Sequence, residues 1–459
     1  MTSLDKHYYE TFDQIGNPFY DWERQLINLG CNVSDIDIAN ATKVLTEDGK
    51  KQISKMIHEY IHFLQNFATA WGAPVFTDFS LAMMKIGASS ASSKEVIQLP
   101  LVKSNLKNTM LIDGITLRET VVQRINKCNN SQYHDNGSLT ALSLTNPNNS
   151  CATLTNGRVT VELGVKVIWE HMAHMGTQLF LGKTDDEIHE YNKTIAGLKF
   201  NGIEFSRQPE YWILYEYLYE TNLFTELAKG VFHLTQQCLI TLNPELALLR
   251  FLNWFEKGKS NYVSKTDLVN VVEDWIKDDK EIYFLHVGLT QSIKHCEGIL
   301  ELSKKHKDEH DIFLFTHNIT EYALNNIKKT TGGRFLFNPT DDFTDIKYWK
   351  NKIALFGTGI VRYLDNTLIH GTTDHCSKMT DSFNFLVSSS LVMKKILENQ
   401  KASCPFLDEI PICQAEYKGS DNCYRNPFLM IQNDTSGKEC LFANGVKLLG
   451  MEDRIEFSN

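Results

Sequence analysis

The chain has 459 residues, 42% of them hydrophobic and 22% charged, with 46 basic against 56 acidic side chains. That composition belongs to a folded chain with room for a large core, and it excludes disordered, collagen-like and low-complexity classes. The net charge of −10 disfavours nucleic acid as a partner, because a phosphate-binding surface must be basic.

In chain order, the alternation of Asp35, Ile36, Asp37 and Ile38 predicts a short half-buried strand near residues 33–39. A long helix follows from about Asp48 to Trp71, stopped by Gly72 and Pro74. Its apolar stripe is Ile53, Met56, Ile57, Tyr60, Leu64 and Phe67. A second helix near residues 77–87 runs into a small polar stretch at 87–93. Residues 129–150, rich in Asn, Ser and Gly, read as a long exposed loop. Asn156-Gly157 between residues 152–155 and 158–163 is a hairpin signal.

The next helix runs from Gly164 to Gly182, and its stripe of Val165, Ile168, Met172, Met175 and Leu179 leaves Glu170 and His174 together on the opposite face. Further helices are predicted at about 209–229, 231–241, 244–257, 265–278, 288–305, 317–330 and 380–400. The fold class read from this pattern is α+β and mostly helical. It has a small sheet in the N-terminal half, a helical C-terminal half and a cysteine-containing tail, divided at 1–240, 241–400 and 401–459.

No apolar run approaches the roughly 20 residues of a membrane helix, and the first residues lack the basic and apolar regions of a secretory signal. A cytoplasmic protein with no membrane partner is expected. The ten cysteines include no CxxC pair, so reduced thiols are the expectation. Cys404, Cys413, Cys423 and Cys440 could close a structural zinc site, or could be simple free or packed thiols.

The sharpest feature is His58-Glu59-Tyr60-Ile61-His62, an HExxH pattern inside the predicted first helix. Residues i and i+4 lie one turn apart on one face, so both imidazoles can reach one zinc ion. Glu59, rotated about 100° from His58, stands beside the metal as a general base on its bound water. Chance predicts roughly 0.03 such patterns in a chain of this composition. The pair projects opposite the apolar stripe, as either a cleft or a solvated helix face would require.

Through HEYIHFLQ at residues 58–65 the chain resembles the zincin metallopeptidases. The resemblance implies a zincin-like core within residues 1–240 that holds Zn2+ through His58 and His62. It also implies Glu59 as base, a motif helix beside a small sheet, and an edge strand that takes an extended peptide. Metzincins carry Gly and His where this chain has Gln65 and Ala68, so that branch is excluded. A gluzincin-like arrangement remains, with a glutamate from a downstream helix as third ligand.

Glu170 is the candidate for that ligand, with His174 one turn on as a residue that would orient a ligand; His171 or His174 could instead be the ligand itself. Glu216 and Glu220, in a helix dense in tyrosines (Tyr211, Tyr215, Tyr217, Tyr219), are the rivals. The function expected is zinc-dependent endopeptidase hydrolysis of a protein or peptide substrate, with a regulatory partner possible. The alternative is a zinc-binding, zincin-like recognition protein without peptidase activity.

Overall fold

The chain of elements begins with two short strands, β1 (Phe19–Asp21) and β2 (Leu26–Asn28), and two long helices, α1 (Glu47–Ala68) and α2 (Gly72–Ser92). The computed structural model describes residues 19–22, 26–29, 47–92, 96–99, 101, 103–127, 129–133, 141–145, 151–195, 209–262, 265–331, 336–362, 368–370, 376–398, 404, 406, 421–425, 427–428, 440–452 and 455–457. The strand expected at 33–39 and Cys413 of the tail lie outside the described residues.

The joint between α1 and α2 shows why the first helix stops where it does. Thr69 Oγ1 donates to the Gln65 carbonyl at 2.5 Å and accepts the Gly72 N–H at 2.9 Å, folding the chain back. A Cβ on Gly72 would lie 1.9 Å from the Gln65 carbonyl oxygen, so only glycine fits. Pro74 then sits in the first turn of α2, where its missing N–H has no helical partner to lose.

Strand β3 (Ile97–Leu99) and α3 (Thr109–Asn126) come next, the latter capped by Asn108, whose side chain accepts from Met110 and Leu111. The stretch expected as a loop at 129–150 carries two strands, β4 (Ser131–Tyr133) and β5 (Ser143–Thr145). They flank the predicted hairpin of β6 (Thr153–Thr155) and β7 (Val159–Glu162), giving an antiparallel sheet in the order β4-β7-β6-β5. The described outer-strand residues are mostly polar and exposed, so their pairing with β7 and β6, not apolar alternation, makes them strands. Asn156 turns the hairpin by accepting the Arg158 and Val159 N–H groups, with Gly157 at φ +79°.

Helices α4 (Val165–Phe180) and α5 (Asp185–Ile195) follow, then a 3-10 turn at Pro209–Tyr211, α6 (Ile213–Glu220), β8 (Phe224–Thr225) and α7 (Leu227–Leu239). The single helix expected at 209–229 is thus broken. Asn222 and Glu226 take positive φ (52° and 50°) on either side of β8. Helix α7 starts at Leu227 because Asp185 of α5 accepts the Leu227 and Ala228 N–H groups, both at 3.0 Å. A cap from 42 residues upstream leaves no local signal.

The remainder is α8 (Pro244–Gly258), β9 (Thr266–Asp267), α9 (Leu268–Lys277), α10 (Asp279–His306), α11 (Asp311–Thr331), α12 (Ile346–Phe356), β10 (Ile360–Arg362), β11 (Leu368–His370), α13 (Cys376–Glu398), α14 (Asp421–Arg425), α15 (Leu441–Leu448) and β12 (Ile455–Phe457). The fold is α+β and mostly helical. Late strands join early ones: β2 pairs in parallel with β10, and β3 with β12. One apolar core runs from Trp22 to Met451. Helix α1 lies inside it, packed by α2, α4 and α11, with Ile57, Ile61, Phe63, Leu64 and Phe67 fully buried. Among the described residues no helix is long and apolar enough to cross a membrane.

Candidate metal centre

Burial of α1 turns the face carrying His58 and His62 inward, where α4 meets it. Gly176 of α4 makes the approach possible: a Cβ there would stand 2.4 Å from Ile61 Cδ1 and 2.9 Å from Phe232 Cε2. With the helices this close, Glu170 of α4 reaches the two imidazoles of α1. His58 Nε2 and His62 Nε2 are 3.3 Å apart, and Glu170 Oε2 lies 3.5 Å from the first and 3.3 Å from the second. Among the described residues this is the one cluster of three His, Cys, Asp or Glu with metal-ligand spacing.

The other ring nitrogens are committed elsewhere, which fixes the tautomers. Gln65 donates its amide to the Trp169 carbonyl at 3.0 Å, so its oxygen faces His62 Nδ1 at 2.8 Å and takes that hydrogen. Thr177 donates its hydroxyl to the Ala173 carbonyl at 2.8 Å, so its oxygen accepts from His58 Nδ1 at 3.4 Å. Both Nε2 lone pairs therefore point at one another and at a carboxylate oxygen. Glu170 Oε2 is buried without a partner in hydrogen-bond geometry. Three acceptors converging in a buried space need a cation or a proton among them.

The electrostatics carry the same imprint. Burial pushes the His62 pKa down, but the Glu170 carboxylate, joined by Glu59 and the Gln65 hydrogen bond, outweighs it and raises it to about 9. Burial raises Glu170, and the two imidazoles more than reverse that, holding it well below the usual carboxylate range. Glu59, buried beside the pair and outside the cluster, is raised by burial against the pull of His58 and His62.

The donor set suits zinc. Nitrogen and oxygen ligands about 2.0–2.1 Å from an ion at tetrahedral angles stand about 3.3–3.4 Å apart. The observed separations are 3.3, 3.3 and 3.5 Å. Two imidazoles and one carboxylate also leave a fourth position for water or substrate.

Aromatic rings wall the site. Tyr20 of β1 stacks on His62 at 6.1 Å and accepts from Asn66 through its hydroxyl at 2.8 Å. Trp169 lies 6.4 Å from the same imidazole. Tyr211, in the 3-10 turn, stacks on His58 at 5.8 Å. Burial and the Glu170, Glu59 and Glu210 carboxylates raise its hydroxyl pKa well above normal. In the sequence Tyr211 stands in one run with Tyr215, Tyr217 and Tyr219, and nothing local distinguishes it from them.

The rival and supporting residues fall elsewhere. Glu216 accepts from His189 and Asn192, and Glu220 accepts the Leu142 N–H; neither joins the cluster. His171 is a structural link, donating from Nδ1 to the Val167 carbonyl and accepting the Leu214 N–H at Nε2, both at 2.9 Å. His174, expected to orient a metal ligand, instead donates to Asn192 Oδ1 at 3.3 Å and stacks on Tyr191. Gln65 and Thr177 hold His62 and His58 in its place. Cys404, Cys423 and Cys440 are buried and form no such cluster among the described residues.

Comparisons of the chain with protein-family models, with curated proteins and with solved structures give no match.

Proposed function

We propose that this chain is a zinc-dependent endopeptidase acting on a protein or peptide substrate. One observation carries the reading. His58 Nε2, His62 Nε2 and Glu170 Oε2 converge with 3.3–3.5 Å separations, their other partners turned away, beside the buried Glu59. Zinc held by these three residues would supply a Lewis acid that acidifies water and polarises a peptide carbonyl.

Glu59 takes the proton of the attacking water and passes it to the leaving amine nitrogen. Its raised pKa suits it to hold that proton between the two transfers. The Tyr211 hydroxyl stays protonated and donates to the carbonyl oxygen as charge develops there. Tyr20 and Trp169 keep bulk water from the His62 side. Strand β1 is an edge of its sheet among the described residues and offers an extended peptide a backbone to pair with. The buried thiols of Cys238 and Cys296 and the acidic balance go with a cytoplasmic protein that uses neither membrane nor nucleic acid. A partner that restrains the activity fits such a location.

The test joins metal analysis to turnover. Purified protein should carry about one zinc, lost in His58→Ala and His62→Ala. Glu59→Gln should keep zinc and fold while hydrolysis of a casein or peptide-library substrate falls at least a thousandfold, roughly the scale of losing a general base. Zinc retained in the double histidine variant overturns the reading. Zinc binding without Glu59-dependent hydrolysis assigns the site to recognition instead.

A further inference from the structure

The segment that carries Tyr211 is sewn to α4 at two points, one on each side of Glu170. On one side Lys166 Nζ, four residues before Glu170, donates to Glu210 Oε1 at 2.9 Å. On the other, the Leu214 N–H is held by His171 Nε2 at 2.9 Å. Tyr211 lies between these ties, its ring on His58. The ion pair is half-buried, with side-chain exposures of 38% and 19%. It also belongs to the electrostatics of the centre: Lys166 feels the Glu170 carboxylate as well as Glu210, and Glu210 acts in turn on Tyr211.

We infer that the Lys166–Glu210 ion pair is a positioning pair for the metal centre, holding Tyr211 against His58 and setting the charge that a bound cation meets. The inference rests on the zinc reading above. A lone Lys166 ammonium, one helical turn from Glu170, would oppose a divalent cation, and a lone Glu210 carboxylate would attract it. Paired, they cancel, and the ligand set keeps its own charge of −1 from Glu170 with two neutral imidazoles. The pair also fixes the register of the 3-10 turn, so that the Tyr211 ring, and not its neighbours, covers His58.

The consequence separates this role from simple structural support. Lys166→Met leaves an uncompensated carboxylate and should tighten Zn2+ or Co2+ binding. Glu210→Gln leaves an uncompensated ammonium and should weaken it. Each shift should be about three- to tenfold at low ionic strength and smaller at high salt, as expected for partly solvated charges. Lys166→Met/Glu210→Gln should return affinity to within about twofold of the parent. All three variants should lose turnover of the zinc-loaded protein against a peptide library, because Tyr211 is released, and Lys166→Arg should retain it.

Affinity is read by chelator competition and folding by circular dichroism on the same full-length samples. Opposite shifts in the two single variants, cancelling in the double, support the inference. Shifts of one sign in both, or none in either, overturn it even if the parent binds zinc tightly. Should either single variant fail to fold, Lys166→Gln or Glu210→Ala replaces it in the same comparison. A parent that binds no stoichiometric zinc overturns the zinc reading first, a result visible before any variant is made.

Discussion

Gln65 accepts the Nδ1 hydrogen of His62 at 2.8 Å while its own amide donates to the Trp169 carbonyl at 3.0 Å, one residue before Glu170. A single side chain thus ties the helix carrying two candidate ligands to the helix carrying the third, and sets the His62 tautomer. Gln65→Leu removes both bonds at little change in volume. Zinc affinity should fall about 10–100-fold, the usual effect of losing a partner that orients a metal histidine. Gln65→Glu, which keeps the acceptor, should retain most of it. Chelator competition measures both, and equal affinity in parent and Gln65→Leu would show that His62 needs no such partner.

Removal of the carboxylate from the cluster has a signature that requires no metal. Glu170 is the main influence that lifts His62 to about 9 against the lowering by burial. In metal-free Glu170→Gln, burial prevails and the His62 imidazole should titrate well below its parent value, followed by NMR of the ring protons. Zinc binding should weaken in the same variant. A His62 titration that does not move would mean that the carboxylate and the imidazole do not meet in solution.

His171 sets an acid limit on the fold. It is fully buried, and burial lowers its pKa from 6.5 to about 4. Both ring nitrogens already serve neutral bonds, and a second proton would end the one from the Leu214 N–H. Below 6.5 the unfolded chain takes up this proton and the folded one does not, so stability falls as pH drops and the loss is complete below about 4. The depression is worth about 3 kcal/mol. His174, lowered to about 3, acts in the same direction. Urea unfolding of metal-free protein at pH 7, 5.5 and 4.5 should show the decline, and His171→Gln should flatten it.

The parts of this site that the sequence exposes are the parts with local causes. HExxH places His58 and His62 together because one helical turn separates them, and the stripe from Ile53 to Phe67 is buried as its spacing requires. Glu170 could be singled out because its helix repeats that design. Thr177 and Tyr211 could not, since each acts on His58 from another helix or turn, at separations of 119 and 153 positions; Gln65 meets His62 within one helical turn, but the Trp169 carbonyl that orients its amide lies 104 positions on. The break after Glu220 was hidden by the apolar spacing of its neighbours, and the cap on α7 by its origin in Asp185. Strands β4 and β5 escaped for a related reason: partners make them, not their own residues.

Gly176 joins packing to chemistry. Alanine is favoured over glycine in a helix by roughly 0.5–1 kcal/mol, so propensity alone would make Gly176→Ala stabilising. Packing opposes this, because the new Cβ would lie 2.4 Å from Ile61 Cδ1 and 2.9 Å from Phe232 Cε2. Ile61 can give a little and the Phe232 ring less, and relieving such overpacking costs typically about 1–3 kcal/mol. The second magnitude exceeds the first, so a net loss of about 1 kcal/mol is expected in thermal or urea unfolding. The strain also falls on the candidate metal centre: Ile61 adjoins His62, and Thr177, which accepts from His58, adjoins Gly176. Zinc affinity should therefore drop along with stability. Gly114→Ala is the matching control, because its Cβ would meet Ile86 Cγ1 at 2.7 Å and the Ala82 carbonyl at 3.0 Å, between α3 and α2. That variant should lose stability and keep its zinc affinity. If chelator competition finds the two variants alike in affinity, the close approach of α4 to α1 does not set the spacing of the three candidate ligands.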